Sequence, residues 1–141
     1  MGNFYDNLKD LLMERNMNIR QLSRESGIDH TNIYYWFNHD AYPTVATLIK
    51  LCTYFECSMD YILGRDDARR YTPFKEVDFV NNFKRMMKIN ETNAYRLDKE
   101  GVVSNSRTSS WLYQGMSPTL EGVIKLADYF GCSVDELLGV K

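Results

Sequence analysis

The chain is poor in the features that mark several classes of protein. It has 3 cysteines, 3 prolines and 2 histidines among 141 residues, and its uninterrupted apolar runs are short. Three cysteines cannot all pair and no CxxC spacing occurs, so we expect reduced thiols rather than a disulfide framework or a metal site. A membrane span needs about 20 apolar residues, so no membrane partner is expected. The first residues, MGNFYDNLKD, lack the pattern of a secretory signal, and we expect a cytoplasmic protein.

An excess of charge of either sign is also missing. The chain carries 17 basic and 19 acidic residues, a formal net charge of −2. This balance excludes a strongly cationic coat for nucleic acid but allows basic surface locally. The sequence contains no nucleophile–base pairing and no glycine-rich phosphate loop, so we expect neither an enzyme nor a bound cofactor.

The sequence does contain an internal repeat. A shift of 75 residues aligns the two halves without a gap, and 19 of the 61 positions in 4–64 are identical to their partners in 79–139. Self-similarity at a fixed spacing indicates a duplicated structural unit. We therefore predict two domains, residues 1–64 and 79–141, joined by a charged, proline-containing linker over 65–78.

Each half is predicted to form five helices. Apolar residues recur at helical spacing and no segment shows the alternation typical of strands, so the predicted fold is all-α, with two tandem five-helix domains. The aligned residues Trp36 and Trp111 are expected in the two cores, and Gly64 and Gly139 after the last helices. The last four helices of each half are predicted to begin after polar capping residues, namely Asn18, Asp29, Thr44 and Ser58, then Asn93, Ser104, Thr119 and Ser133.

The order of these features resembles a known family. In both halves a short turn separates the second and third helices, a Pro-Thr pair precedes the fourth, and a segment of the form F-x-C-S-x-D-x-[IL]-L-G follows it. This pattern is similar to the phage-repressor or Cro-like helix-turn-helix family, also called XRE-like, over nearly the whole chain outside the linker. The resemblance implies lambda-repressor-like domains that bind specific DNA sequences in transcription control, with the third helix in the major groove.

The resemblance and the residue types together indicate which side chains would contact DNA. Asparagine and arginine can each form two hydrogen bonds with one base, and small hydroxyl side chains allow close approach. The residues expected to read bases are His30, Thr31, Asn32, Tyr35, Asn105, Ser106, Arg107 and Ser110. The residues expected to bind phosphates are Arg20, Gln21, Arg24, Arg96 and Lys99.

The third helix of the first half also favours a second interpretation. Its YYWF segment carries more aromatic surface than one helix can bury, and such residues are enriched at protein interfaces. Tyr34 and Phe37 are therefore candidates for contact with a second copy of the chain or with another protein.

Two functions follow from the sequence. One is a DNA-binding transcriptional regulator, expected to be a repressor, that binds double-stranded DNA through two linked units; the other is a protein–protein interaction module on a degenerate helix-turn-helix fold.

Overall fold

The computed structural model describes residues 3–74 and 77–139. These residues form ten helices and no strand, which confirms the all-α prediction for the part of the chain described. The chain divides into two compact units, residues 1–74 and 75–141. The helices of the first unit are α1 (Asn3–Glu14), α2 (Ile19–Ser26), α3 (His30–His39), α4 (Val45–Phe55) and α5 (Met59–Ile62). Those of the second unit are α6 (Phe79–Ile89), α7 (Ala94–Lys99), α8 (Asn105–Tyr113), α9 (Leu120–Phe130) and α10 (Val134–Leu138).

The helices of the second unit repeat those of the first at the 75-residue shift. Helices α2 to α5 begin at the positions equivalent to the starts of α7 to α10. The packing repeats as well, because α1 contacts α5 and α2 contacts α3, as α6 contacts α10 and α7 contacts α8. Helix α7 is two residues shorter than α2. Gly101, at φ 77°, stands where the first unit has Ser26, so the chain turns earlier there.

Polar caps explain why the helices begin where they do. All eight predicted N-cap side chains accept a backbone N–H from the first turn of their helix. At α2 the bond is reciprocal, because the Gln21 side chain in turn accepts the backbone N–H of Asn18 at 2.8 Å. Gly139 is the C-cap of α10 in the left-handed conformation, whereas α5 ends one residue earlier, with Leu63 as its C-cap and Gly64 next at φ 79°.

Each unit has its own apolar core. Apolar residues at helical spacing on α1, α4 and α9 are buried, and the two tryptophans are 4% exposed each, which confirms their predicted place in the cores. The largest side chains that are almost fully buried include Phe4, Phe55 and Phe83. Cys57 is buried and its counterpart Cys132 is partly buried at the start of the last helix of each unit.

The segment predicted as a linker contacts the first unit over its N-terminal part. Residues 65–74 belong to that unit. The Arg69 guanidinium donates to Oε1 of Glu14 and to the backbone carbonyl of Phe55, each at 2.8 Å. Residues 75 and 76 of the predicted linker, like residues 1, 2, 140 and 141 of the predicted domains, lie outside the described residues.

Candidate nucleic-acid interface

The turn between α2 and α3 fixes the position of the third helix in the first unit. Gly27 adopts φ 80°, and its N–H donates to the carbonyl of Ser23. The Ser23 hydroxyl in turn donates to the carbonyl of Ile28, whose side chain is 4% exposed. Asp29 then caps α3 by accepting the backbone N–H of Thr31 at 2.9 Å. The turn therefore contributes both a buried side chain and a helix cap, which together set the direction in which α3 leaves the turn.

Helix α3 has one buried face and one exposed face. Ile33 and Trp36 are buried, and the helical period of 3.6 residues directs Thr31 and Tyr35 to the opposite side. Both of these residues are exposed, and so is Asn32 on the flank of the helix. The Thr31 hydroxyl donates to the Asp29 carboxylate at 2.8 Å. Three of the side chains predicted to read bases, Thr31, Asn32 and Tyr35, thus lie on the exposed surface of α3, whereas His30 at the start of the helix is half-buried.

Aromatic and imidazole rings pair along α3. The rings of His30 and Tyr34 meet edge to face with centroids 6.2 Å apart, and those of Tyr35 and His39 lie 4.3 Å apart. Tyr34 is 41% exposed and Tyr35 is 55% exposed. Phe37 is half-buried, with its ring 6.2 Å from that of Tyr5 on α1. Of the two residues predicted to contact a protein, Tyr34 is therefore the more accessible, and Phe37 belongs in part to the periphery of the core.

The equivalent helix of the second unit, α8, presents a polar surface. Thr108 and Trp111 are buried, whereas Asn105, Ser106 and Arg107 are exposed. Among the described residues the Arg107 guanidinium has no ion-pair partner, so all of its donors are available to a ligand. The partly buried Ser110 is less available, because its hydroxyl donates to the backbone carbonyl of Ser106 at 3.1 Å.

The residues predicted to bind phosphates lie on the helix that precedes the third helix of each unit. Arg20 and Arg24 are exposed one turn apart on α2, and Arg96 and Lys99 are exposed on α7. Arg96 makes a long contact of 3.5 Å with the Glu91 carbonyl, and the Lys99 ammonium lies 5.9 Å from the Tyr95 ring centroid. The Gln21 side chain differs from the others, since its carbonyl oxygen takes part in the capping box of α2.

The acidic residues close to α2 and α3 are largely satisfied within the first unit. Hydrogen bonds from the Thr31 backbone N–H, then from its hydroxyl, hold the pKa of Asp29 below its ordinary value of 3.8. The carboxylate of Glu25 accepts a 2.5 Å hydrogen bond from the Tyr54 hydroxyl. The hydrogen bonds to Asp29 favour the charged form of its carboxylate, which reduces the positive potential of the surface.

Two features of the second unit are absent from the sequence predictions. The Asp98 carboxylate accepts the backbone N–H of Asn105 at 3.0 Å, and so binds the first residue of α8 from α7. Tyr113 is 74% exposed at the end of α8, with the Lys84 ammonium 5.9 Å from its ring centroid. Tyr113 aligns with Asn38, and Asp98 aligns with Ser23. Because neither residue is identical to its partner in the other half, the internal repeat did not indicate a role for either of them.

Within residues 3–74 and 77–139, no three His, Cys, Asp or Glu side chains come together in a group that could hold a metal ion. None of the helices described there has the length and apolar character needed to cross a membrane.

Comparison with known proteins identifies the type of domain in the first unit. Residues 7–68 match the family model of the Cro/C1-type HTH DNA-binding domain. The match contains α2, the turn and α3, and it supports the XRE-like helix-turn-helix family for this part of the chain. It ends before the second unit, whose likeness to the first rests on the internal repeat and on the repeated helix positions. Comparisons with curated proteins and with solved structures gave no match.

Proposed function

We propose that the protein is a sequence-specific DNA-binding transcriptional regulator, and that both units bind DNA with α3 and α8 in the major groove. The observation that carries this proposal is the Cro/C1-type match in a unit whose α3 exposes Thr31, Asn32 and Tyr35 opposite two buried residues. A helix held on one side and polar on the other has the form that major-groove recognition requires.

The two units are proposed to read different half-sites. Asn32 and Arg107 align, and these side chains favour adenine and guanine respectively. The remaining proposed base contacts are His30, Thr31, Tyr35, Asn105, Ser106 and Ser110. Phosphate contacts would come from α2 and α7. Because one chain carries both units, binding of the first raises the effective concentration of the second near its half-site, and each unit can contribute with few contacts.

We further propose repression as the mode of regulation, because a regulator that occupies promoter DNA can block transcription without any chemical step. The proposal includes no catalytic activity and no cofactor. It places the protein in the cytoplasm, in keeping with its thiol-containing cores and with the match to a DNA-binding domain.

A second candidate function is a protein–protein interaction module on the helix-turn-helix fold. The exposed aromatic rings of Tyr34 and Tyr35 favour it, because tyrosine is enriched at the centres of protein interfaces. The partner would be a second copy of the chain or another protein. In this case the aromatic side of α3 would contact the partner and the first unit would contribute little affinity for DNA.

Binding of the full chain to a labelled duplex pool of random sequence, followed over a range of salt concentrations, tests the two functions. A DNA-binding regulator should bind with an affinity that falls steeply as salt rises, because phosphate contacts release counterions. Repeated selection from the pool should then enrich one sequence with two unlike half-sites. If the chain shows no salt-dependent binding to any duplex, the proposal of a DNA-binding regulator is wrong. A dimer or a larger complex detected by sedimentation would then favour the interaction module.

A further inference from the structure

The Arg69 side chain holds the segment that follows α5 against the first unit. Its guanidinium donates to Oε1 of Glu14 and to the backbone carbonyl of Phe55, each at 2.8 Å, and lies 6.0 Å from the ring centroid of Tyr61. Glu14 is the last residue of α1, and Phe55 is the last residue of α4. The last carbonyls of a helix lack partners within it and carry partial negative charge, so a guanidinium is well suited to this position. Arg69 therefore joins the ends of two helices to the segment that leads to the second unit.

Another set of contacts holds the beginning of the same segment. The Arg65 guanidinium donates to the carboxylate of Asp60, which is 5% exposed. The backbone N–H groups of Arg65 and Asp66 both donate to the Asp60 carbonyl. Residues 71–74 form no hydrogen bond or ion pair with the rest of the described chain. Arg69 is therefore the last polar anchor of the segment on the first unit, and Asp66 is the anchor that remains without it.

The beginning of the second unit is fixed as well. The backbone N–H of Asp78 donates at 3.1 Å to the carbonyl of Leu138, the last residue of α10. The next residue, Phe79, is buried. A Cβ at Gly139 would lie 3.1 Å from the Asp78 nitrogen, which shows how closely the chain approaches the end of α10 there. The chain that joins the two units therefore runs from the last anchor on the first unit to Asp78, and we call this stretch the tether.

The length of the tether depends on whether Arg69 is bound. Asp78 follows Arg69 by nine residues and Asp66 by twelve. An extended chain spans at most about 3.3–3.6 Å per residue, so the tether reaches about 30–32 Å with Arg69 bound and about 40–43 Å without it. Since about 10 base pairs of duplex span about 34–36 Å, the difference in reach corresponds to about three base pairs.

We propose that Arg69 is a positioning residue that limits the spacing between the two half-sites that one chain can occupy. When a linker cannot span two sites, the effective concentration of the second unit at its site falls to near zero. Arg69 contacts neither a base nor a phosphate in this role, and it acts only through the segment that it holds. The role in half-site spacing rests on the proposed function, whereas the shortening of the tether does not.

The test compares Arg69→Ala with two other variants of the full chain. Arg70→Ala is the matched control, because it removes the same charge one residue later. The Arg70 guanidinium donates to Asp66 at 2.9 Å, within the segment, so its loss leaves the contacts of Arg69 in place. The other variant combines Arg69→Ala with deletion of residues 71–73, which removes as many residues as the loss of Arg69 releases. Thermal melting first establishes that all three variants are folded.

The tether is measured first, without DNA. The heteronuclear NOE of the Ala68 and Tyr71 amides reports whether the segment is held, and small-angle X-ray scattering gives the maximum dimension of the chain. Arg69→Ala should lower both NOE values and increase the maximum dimension by up to about 10 Å, whereas Arg70→Ala should match the wild type. The deletion should return the dimension to the wild-type value. Unchanged values in Arg69→Ala would show that the half-buried Tyr71 and Phe74 hold the segment alone, and the proposal would be wrong.

Half-site spacing is measured second. The probes are duplexes that carry the two half-sites selected by the wild type from a random pool, with the spacer lengthened one base pair at a time. The readout is the longest spacer that keeps the affinity within about tenfold of the best one. Arg69→Ala should tolerate about three base pairs more than the wild type and Arg70→Ala, and deletion of residues 71–73 should restore the wild-type limit.

A duplex with a single half-site separates this role from a general effect on the first unit. All variants should bind it with affinities within about twofold of the wild type, because the tether does not take part. Weaker binding by Arg69→Ala would contradict the proposal, and so would an unchanged spacer limit in a chain whose tether has lengthened. If no duplex is bound at all, the proposed function and the role in spacing are both wrong, and the NOE and scattering results still decide whether Arg69 shortens the tether.

Discussion

The phenolic hydroxyl of Tyr54 on α4 donates a 2.5 Å hydrogen bond to the carboxylate of Glu25 on α2. The aligned residues Tyr129 and Glu100 repeat this contact in the second unit at 3.2 Å. The hydrogen bond to Glu25 is the main cause of a raised pKa at the Tyr54 hydroxyl. Both residues of the pair are identical in the two halves. The contact gives this identity a structural reason, because in each unit it joins the C-terminal end of the second helix to the fourth helix.

The two tyrosine contacts should differ in strength. Tyr54→Phe should lower the free energy of unfolding of the first unit by about 1 kcal/mol, the usual net value of a hydrogen bond. Tyr129→Phe should have a smaller effect on the second unit, because its bond is longer and lacks the Arg15 guanidinium that lies 4.8 Å from the Tyr54 ring. Urea denaturation followed by residue-resolved amide signals measures each unit. An equal or larger loss in Tyr129→Phe would contradict this ranking.

Backbone strain at the end of α4 predicts a stabilising substitution. Glu56 adopts φ 54°, a left-handed conformation, where the aligned residue of the second unit is Gly131 at φ 69°. Glu56→Gly should raise the stability of the first unit by about 0.5–1 kcal/mol, because the side-chain strain is relieved and only part of the gain is offset by the freedom of glycine in the unfolded chain.

The reverse substitution is its matched control. A Cβ at Gly131 would meet no atom within 4 Å, so Gly131→Ala tests the backbone conformation alone and should destabilise by about 1 kcal/mol. Thermal melting of the two variants measures both effects. A Glu56→Gly protein that melts below the wild type would show that the Glu56 side chain contributes more than its conformation costs.

Gly122 is required by the packing of Trp111 in the second unit. A Cβ at Gly122 would lie 2.6 Å from Cη2 of the buried indole, which is too close for any contact without movement. Gly122→Ala should therefore destabilise the second unit by about 1–3 kcal/mol through overpacking. Position 47 of the first unit, which aligns with it, carries threonine, so Thr47→Ala is the comparison. It removes only a hydroxyl that accepts a hydrogen bond from Thr44 at 2.9 Å, and should lower stability by about 0.5–1 kcal/mol at most. Chemical denaturation measures both, and similar losses at the two positions would count against the packing argument.

The cap of α3 should depend on pH. Hydrogen bonds from Thr31 hold the pKa of Asp29 below its ordinary value in the folded protein. The stabilisation by its carboxylate is therefore complete above the unfolded pKa and disappears as the pH falls through the folded pKa. Asp29→Ala should lower the melting temperature at pH 7, and the difference from the wild type should shrink in acid. Ser104→Ala removes the uncharged cap of α8, and its effect should show no such dependence on pH.

Arg107 is expected to contribute specificity rather than general affinity. Arg107→Ala should weaken binding to the selected DNA sequence by about 1–3 kcal/mol and relax the preference at one base pair. Lys99→Ala should instead weaken binding to all sequences and flatten the salt dependence. Lys125→Ala removes the same charge from the exposed side of α9, where the ammonium lies 3.5 Å from Glu121, and serves as the control. If Arg107→Ala distinguishes between DNA sequences as well as the wild type does, Arg107 does not read a base.

Much of the fold could be predicted because its signals are local. A capping side chain acts within three residues of itself, so Asn18 and Ser133 could be assigned before their helices were seen. Apolar residues at helical spacing likewise indicate the buried face of a helix, and Leu8 on α1 and Phe55 on α4 lie on such faces and are fully buried. The end of α3 has no such local signal: the helix continues to His39, three residues beyond the buried Trp36, and its last two residues are polar and carry no apolar pattern.

The candidate site was predictable only as a set of residue types. The sequence selected Arg20, Arg24 and His30 separately, and helical spacing could bring the two arginines together. It could not bring His30 beside them, because the angle between α2 and α3 depends on the buried Leu22 and Ile28 and on the turn that joins them. The involvement of Gln21 in its own capping box depends likewise on a rotamer that residue type does not specify.

The sequence by itself therefore determined the all-helical class, the 75-residue repeat, the helix starts and the core residues, because caps and apolar periods act over a few neighbouring residues. Tertiary structure alone decided what aligned polar residues do. Ser23 and Asp98 occupy the same position in the repeat. The Ser23 hydroxyl donates to a carbonyl in the turn, whereas the Asp98 carboxylate accepts a backbone N–H at the start of the next helix. The physical reason is that a polar side chain can form hydrogen bonds only with groups that lie within about 3 Å of it. Tertiary packing determines which groups of other elements come that close.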